Sequence, residues 1–404
     1  MSNRRAALAL WVAAMALLAA CTDPLVVAPV ATGSSPVRVE RAPGFDAEVI
    51  RLGVLADLSG PSASEHARRI AGIEVLWSDV NAAGGLGGRF PVELIVRDHG
   101  GDVARAAEAY RELRENVVAF ALVAGDDAIA AILPMAAEDA VQVVPGDRSL
   151  QRWGRSRVLA SGTSNEVSML GALQHLGEGP VWCGLVDSSR DGVRAAEALP
   201  IAAELSGLAA PIMLTVNVDH PVAEAVAVAV DQGCRVWIGA ESDVADEALA
   251  ALAAEMTVAM NGRLASLVDV PDGLSALVAT DAPEWSESSP GMAELIAAIA
   301  RRAPDVVADN LLREGYVSQL MLHEALETAI DLGDLRRAAL DEVLGVWVPS
   351  DQGGLVASAH PFVDPPPTSV RIFEVNAEEG DALGWRFVVA LNPGGIDELA
   401  ARLP

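Results

Sequence analysis

The sequence predicts an α/β protein made of two doubly wound parallel-sheet lobes. Residues 50–102 alternate a short apolar run, a segment with apolar residues at helical spacing, and a second apolar run. Strand, helix and strand in this order form a βαβ unit, and such units build parallel sheets covered by helices on both faces. The same alternation recurs beyond residue 180, and 404 residues are too many for a single core.

The first βαβ unit shows how each element is interpreted. Its helix presents four apolar residues on one face, Ile70, Ile73, Trp77 and Val80. A glycine-rich segment, residues 84–88, follows that helix and precedes the second strand. Since a dinucleotide fingerprint lies between a strand and a helix, we interpret this segment as a tight turn with positive φ angles. Open parallel sheets bind ligands beyond the carboxyl ends of their strands, so residues 57–59 and 98–100 are candidate binding loops.

Composition and charge exclude some classes of function. Hydrophobic residues make up 51% of the chain and charged residues 21%, which is typical of a globular protein. The formal net charge of −28 argues against nucleic acid as a partner, because phosphate binding needs a basic surface. We interpret the acidity as a solvated exterior, with a cationic ligand as the alternative.

The amino terminus predicts secretion. Arg4 and Arg5 precede an apolar run, residues 6–20, that is shorter than the ~20 residues a membrane-spanning helix needs. The run ends in Leu-Ala-Ala before Cys21, which resembles the cleavage site of bacterial lipoproteins. We therefore predict a signal peptide over residues 1–20 and a lipid on Cys21 that anchors an extracytoplasmic protein to the membrane, with a plain signal peptide as the alternative. Residues 21–48 would then form a tether.

No cofactor, metal site or catalytic motif is predicted. The six histidines are scattered, and the sequence contains no Cys-x-x-Cys, P-loop, His-Glu-x-x-His or Gly-x-Ser-x-Gly motif. His99 follows a predicted strand, and we interpret it as a surface-loop histidine, with a place in a binding cleft as the alternative. Cys183 and Cys234 each lie in a strand-like run, and we favour two buried thiols over a disulfide.

Three segments in a fixed order carry a family resemblance. They are Gly-Val-Leu-Ala-Asp-Leu-Ser-Gly-Pro at 53–61, Asn-Ala-Ala-Gly-Gly-Leu-Gly-Gly-Arg at 81–89 and Val-Arg-Asp-His-Gly-Gly-Asp at 96–102. Together they resemble the type I periplasmic solute-binding proteins of the branched-chain amino acid kind. The resemblance implies a hinge that closes a cleft on a ligand. It also implies a first lobe of residues 49–163 and 281–366 and a second of residues 164–280 and 367–404.

The resemblance further implies which residues bind the ligand. The predicted ligand-binding residues are Ser59, Gly125, Asp126, Asp147, Arg148 and Ser149 in the first lobe, and Arg190, Glu241 and Asp269 in the second. Arg148 could grip a ligand carboxylate through two parallel hydrogen bonds, although a pair with Asp147 is equally expected. Arg190 and Glu241 stand where the family commonly has tyrosines, which favours a more polar or charged ligand than a branched-chain amino acid.

These features predict a membrane-anchored solute-binding protein that delivers a small polar ligand, such as an amino acid or amide, to an ABC importer. It would not be an enzyme. The alternative is a sensor of the same fold that reports ligand binding to a signalling partner. An enzyme or a structural lipoprotein without a ligand is a third possibility. The first reading rests on the resemblance and on the predicted secretion signal.

Overall fold

Two sheets form the framework of the protein, as a computed structural model shows. The structure describes residues 38–240, 242–252, 256–261, 275–346, 350, 352–356, 362, 364–375 and 385–403. Within these residues, the first sheet consists of β1 (Ile50–Ala56), β2 (Val92–Asp98), β3 (Ala119–Val123) and β4 (Gln142–Pro145). The strands are parallel in the order β2-β1-β3-β4. Every side chain of β3 is buried, as expected for a strand covered on both faces.

The second sheet is larger and mixed. Its described strands are β5 (Trp182–Val186), β6 (Ile212–Thr215), β7 (Arg235–Gly239), β8 (Thr257–Asn261), β9 (Ser275–Thr280), β10 (Val370–Val375) and β11 (Trp385–Leu391). They lie in the order β11-β10-β9-β8-β7-β5-β6. Strands β5 to β9 are parallel, whereas β10 is antiparallel to both of its neighbours.

Helices cover both faces of each sheet. Those in the described residues are α1 (Ala63–Ala82), α2 (Val103–Leu113), α3 (Asp126–Asp139), α4 (Asn165–Leu176), α5 (Arg190–Leu205), α6 (Val222–Asp231), α7 (Ser242–Ala251), α8 (Pro290–Arg302), α9 (Asn310–Asp331), α10 (Arg337–Val346) and α11 (Ile396–Arg402). On the first sheet, α1, α8, α9 and α10 bury one core, and α2 and α3 bury another on the opposite face. On the second sheet, α6 and α7 cover one face, and α4, α5 and α11 cover the other.

We call the first sheet with α1–α3 and α8–α10 the first lobe, and the second sheet with α4–α7 and α11 the second lobe. The chain segments that pass between the lobes are hydrogen-bonded to one another. The backbone N–H of Thr163 donates to Asp281 Oδ2 at 2.7 Å, and its hydroxyl donates to the carbonyl of Ser369 at 2.8 Å. This arrangement confirms the predicted fold class. The residue boundaries assigned to the lobes from the sequence stay a prediction.

Cys183 and Cys234 form a disulfide, so the expectation of two buried thiols is wrong. Cys183 lies in β5 and Cys234 directly precedes β7, and these two strands are parallel neighbours. Their register brings the two Cα atoms to 5.6 Å, which is within the range a disulfide spans. The sequence did not reveal this register, because the strands lie far apart along the chain.

Candidate functional site

A cleft of about 410 Å³ opens between the two lobes. It lies beyond the carboxyl ends of β1, β3 and β5, where the following helices α1, α3 and α5 begin, as expected for ligand sites of parallel sheets. Most of its lining residues have polar side chains. The lining residues are Asp57, Pro61, Ser62, Glu65, His66, His99, Gly101, Gly125, Asp126, Asp127 and Ala128 in the first lobe, and Asp187, Ser188, Ser189, Arg190, Asp191 and Val244 in the second.

Each lobe contributes an aspartate that fixes a strand-to-helix turn at the cleft. Asp57 follows β1, and its carboxylate accepts hydrogen bonds from the backbone N–H groups of Gly60 at 2.6 Å and Ser62 at 3.0 Å. Asp187 follows β5 and accepts from the N–H of Ser189 at 3.0 Å and from its hydroxyl. These N–H groups lie at helix amino termini, where carboxylates are favourable acceptors. Both aspartates therefore shape the wall of the cleft.

His99 is a buried part of this wall, so its interpretation as a surface-loop histidine is wrong. Its Nδ1 accepts a hydrogen bond from the N–H of Gly101 at 3.2 Å, and its Nε2 therefore donates to the carbonyl of Ala124 at 3.1 Å. Burial lowers the pKa of His99, which favours the neutral ring that this pattern requires. The ring thus links the end of β2 to the end of β3.

Gly125 lies beside this histidine at the start of α3. Its φ of +86° is strained for residues with a side chain, and a Cβ there would lie 3.6 Å from Cε1 of His99. A serine or any other residue with a side chain would therefore be strained at this position. Gly125 therefore lines the cleft with backbone atoms alone.

Ion pairs cross from one lobe to the other at the edge of the cleft. Asp127, in the first turn of α3, pairs with Arg190 of α5 at 2.7 Å in an exposed position. The neighbouring Asp126 pairs with Arg194 at 2.6 Å, and Arg194 is buried. Arg194 also lies 3.1 Å from Asp147, which follows β4. One turn of α5 thus brings two arginines against carboxylates of the first lobe.

Arg148 and Ser149 lie where the chain passes between the lobes and do not line the cleft. Arg148 Nη1 pairs with Asp281 at 2.6 Å. The hydroxyl of Ser149 donates a hydrogen bond to Oε1 of the buried Glu166 at 3.3 Å. Both residues line a separate cavity of only about 10 Å³, next to Asp147.

Ser59 lies at the end of β1 but outside the lining residues. Its hydroxyl is hydrogen-bonded to the carboxylate of Asp98. That bond, together with the N–H groups of Leu58 and Gly100 at 2.8 Å each, lowers the pKa of Asp98 to about 2. Ser59 therefore joins the candidate loops after β1 and β2.

The structure brings together only some of the residues predicted from the sequence. Gly125, Asp126 and Arg190 line the cleft, whereas Asp147 lines the separate small cavity and pairs with Arg194. Three predicted residues lie outside the part of the chain that the structure describes: Glu241, Asp269 and the predicted lipidation site Cys21. Sequence reasoning placed Asp57 in a candidate loop, but it missed the lining residues Glu65, His66 and Asp187 and the interlobe ion pairs of Arg194. The signal for Arg194 is its position one turn after Arg190 on a predicted helix that begins at the cleft.

No helix within the described ranges is both long enough and apolar enough to cross a membrane.

Several solved structures share this fold, and three of them are named for ABC transport. A fatty acid ABC transporter substrate-binding protein from Thermomonospora curvata has a TM-score of 0.78 at 23% identity, covering 91% of this chain and 97% of that one. A substrate-binding protein of an ABC transporter from Aeropyrum pernix gives 0.76 at 17% identity, covering 88% and 99%. A branched chain amino acid ABC transporter from Thermus thermophilus with bound valine gives 0.72 at 15% identity, covering 87% and 98%. At these identities, the likeness shows the fold alone.

The sequence itself matches one protein family. The match is to the family described as periplasmic binding protein and extends over residues 49–345. No curated protein matches the sequence. The family match covers most of the chain and includes the cleft-forming ends of β1, β3 and β5. The chain therefore belongs to the periplasmic binding protein family, whose members are extracytoplasmic solute-binding proteins and not enzymes.

Proposed function

We propose that the protein captures a small polar solute in the interlobe cleft and delivers it to an ABC permease. The single observation that carries the proposal is the cleft of about 410 Å³ between two parallel-sheet lobes, at the carboxyl ends of β1, β3 and β5. Pockets of a few hundred Å³ with convergent polar groups are typical of small-molecule sites. Hinge motion about the bonded crossing segments would then close the lobes on the ligand.

The chemistry of the walls favours an amino acid or amide-like ligand. Carboxylates, serine hydroxyls, two histidines and one guanidinium line the cleft, and none of its described lining residues is Phe, Tyr or Trp. Such groups satisfy the polar atoms of a small hydrophilic molecule, because a buried polar atom without a hydrogen-bond partner is costly. Two of the similar structures are named for fatty acid and for branched chain amino acid transport. Because these ligands differ in chemistry, the proposed ligand class is based on the residues that line the cleft.

Gly125, Asp126 and Arg190 are the proposed ligand contacts that also line the cleft. A ligand held through Arg148 and Asp269 stays a prediction from the sequence. It would require the Arg148 guanidinium, now 2.6 Å from Asp281, to serve the ligand as well. If Arg148→Ala binds the ligand with unchanged affinity, Arg148 is not a ligand contact. Ligand binding by the remaining predicted residues, Ser59, Asp147, Ser149 and Glu241, also stays a prediction from the sequence.

We further propose that Cys21 carries a lipid and that residues 21–48 tether the lobes to the membrane. The support is the basic and then apolar amino terminus that ends in Leu-Ala-Ala-Cys. Such an anchor would hold the cleft close to a permease in the same membrane. Mass spectrometry of the mature amino terminus checks this proposal: an unmodified Cys21 would contradict it.

Thermal-shift screening identifies the ligand. The panel should contain amino acids, amides, polyamines and small organic acids. A ligand present at 100 times its dissociation constant stabilises the folded state by ~2.7 kcal/mol, which gives a clear rise in melting temperature. If no member of these classes changes the melting temperature, the proposed ligand class is wrong.

A steric variant then tests whether the cleft is the binding site. Ser188 is exposed and lines the cleft, so Ser188→Trp places an indole in the space a ligand needs. The matched control is Ser288→Trp, at an exposed serine outside the cleft. We expect the first variant to lose affinity for the identified ligand and the second to keep it. Equal affinities in both variants would show that the solute binds elsewhere.

A further inference from the structure

The guanidinium of Arg194 lies between carboxylates of both lobes. Arg194 is in the second turn of α5, in the second lobe. Its Nη1 is 2.6 Å from Asp126 and 3.1 Å from Asp147, which follow β3 and β4 of the first lobe. Its Nη2 pairs with Asp191 on its own helix, and Nε lies 3.8 Å from Glu166. A single side chain therefore connects the carboxyl ends of two first-lobe strands to the second lobe.

The bridge is buried, which makes it hard to break. Arg194 is 8% exposed, and the side chains of Asp126 and Asp147 are 8% and 1% exposed. Ions in such surroundings depend on their partners, because a charge left unpaired away from water is strongly unfavourable. Although burial alone would lower the pKa of Arg194, the carboxylates of Asp191, Asp126 and Asp147 raise it, so the side chain stays charged. Separating the lobes would take this cation from both first-lobe carboxylates, of which Asp147 also pairs with Arg152 at 3.2 Å.

Arg190 provides an internal comparison. It lies one turn earlier on α5 and pairs with Asp127 of the first lobe at 2.7 Å, so this ion pair also joins the second lobe to the first. The side chains of this pair are 48% and 59% exposed, so water and salt screen their attraction. These two interlobe arginines on one helix thus differ in burial and in the number of carboxylates they contact.

We propose that Arg194 is a positioning residue that sets the separation of the two lobes, and hence the width of the cleft, by occupying a cation-binding position formed by Asp126 and Asp147. The idea extends the proposed function, since it concerns the cleft in which the solute would be captured. It also restricts the ligand. Asp126 and Asp147 follow two strands whose ends were predicted to bind the ligand, and the protein's own guanidinium already lies between them. These two carboxylates therefore bind Arg194 and not a cationic group of the ligand.

Arg194→Ala, with Arg190→Ala as the matched control, tests the proposal on the purified protein without any solute. Small-angle X-ray scattering measures the separation of the lobes through the radius of gyration. We expect Arg194→Ala to increase it and Arg190→Ala to leave it unchanged. Arg194→Lys should give an intermediate value, because it keeps the charge but not the planar fork that bonds several carboxylates.

Chemical rescue separates this role from general destabilisation. Ethylguanidinium at millimolar concentration should bind the vacated position in Arg194→Ala, raise its melting temperature and return its radius of gyration toward that of the wild type. Wild type and Arg190→Ala should show neither response. Equal radii of gyration for all the proteins, or a rise in melting temperature of the same size in Arg190→Ala, would overturn the proposal.

A second variant covers the case in which Arg194→Ala does not fold. Asp126→Asn keeps the arginine and removes one of its first-lobe charges, and it should widen the cleft to a smaller extent. An Asp126→Asn protein with the dimensions of the wild type would then overturn the proposal. Because these measurements use no solute, their failure would leave solute capture intact. A negative ligand screen, conversely, would leave the role of Arg194 intact.

Discussion

Helices α1 and α9 cross at two glycines, and replacing Gly72 with alanine tests how closely their backbones must approach. A Cβ on Gly72 would lie 1.9 Å from the carbonyl oxygen of Leu312 and 2.8 Å from the backbone N of Tyr316. On the other helix, a Cβ on Gly315 would lie 1.9 Å from the carbonyl oxygen of Arg69. These neighbours are backbone atoms, so no side chain can rotate away to make room.

The expected magnitude follows from this geometry. Ordinary contact with a Cβ begins at 3.4 Å, so the helices would have to separate by about 1.5 Å at this point, the difference between 3.4 Å and 1.9 Å. Overpacking in a core typically costs ~1–3 kcal/mol, and we expect the upper part of that range because only backbone can yield. Alanine recovers about 1 kcal/mol of helix propensity. The net loss of unfolding free energy in Gly72→Ala should therefore be about 2 kcal/mol.

Urea denaturation followed by circular dichroism measures the change. The control is Gly345→Ala in α10, where a Cβ meets no atom within 4 Å; it should be neutral or stabilising by up to ~1 kcal/mol. In a domain of 150–250 residues, a change of 1 kcal/mol moves the melting temperature by roughly 2–4 °C, so Gly72→Ala should melt about 4–8 °C lower. Equal stability of Gly72→Ala and Gly345→Ala would refute the close approach of α1 and α9.

Three further predictions concern ionisation and the disulfide. First, the Asp98 carboxyl, with its pKa lowered to about 2, should titrate far below the ordinary 3.8 in ¹³C NMR. Its stabilising contribution is complete above pH 3.8 and lost as the pH falls through about 2, and Ser59→Ala should move that loss to higher pH. Second, burial raises the pKa of Glu166, so folding loses stability as the pH rises through that raised value. Unfolding measured at mildly acidic and mildly alkaline pH should show a smaller loss in Glu166→Gln, and an equal loss would contradict this reasoning. Third, the Cys183–Cys234 bond closes a loop with a sequence separation of 51 residues, so its removal in a double serine variant should destabilise the fold by up to ~4 kcal/mol in urea titrations. Two free thiols in the unreduced, denatured protein would refute that bond.

Local patterns were sufficient to predict most of the elements. The helical spacing of Ile70, Ile73 and Trp77 predicted α1, and each of these side chains is buried in the first lobe. The glycines of residues 84–88 were predicted to form a tight turn, and Gly84, Gly85, Gly87 and Gly88 all have positive φ. Strand and helix periodicity depend on neighbours along the chain, and for this reason they can be recognised without coordinates.

The candidate site was predictable only in part. The sequence indicated that strand ends would form it, and Gly125, Asp126 and Arg190 do line the cleft. It did not indicate which side chains from separate strands and helices would meet there. His99 was interpreted as a surface-loop histidine, with a place in the cleft as the alternative, whereas the structure buries it in the wall, hydrogen-bonded to the carbonyl of Ala124. Its partner follows β3, which β1 separates from β2 in the sheet. No local pattern encodes a contact between these two strand ends.

By itself, the sequence determined the alternation of strands and helices, the resemblance to a binding-protein family and the strand ends at which the cleft lies. Only the tertiary structure decided that Cys183 meets Cys234, that Arg148 pairs with Asp281, and that Arg194 of the second lobe lies between carboxylates of the first. The physical reason is that periodicity and turn chemistry act over a few residues. Ion pairs and disulfides between distant segments depend instead on sheet register and on how the lobes are placed, which are set by the packing of the whole chain.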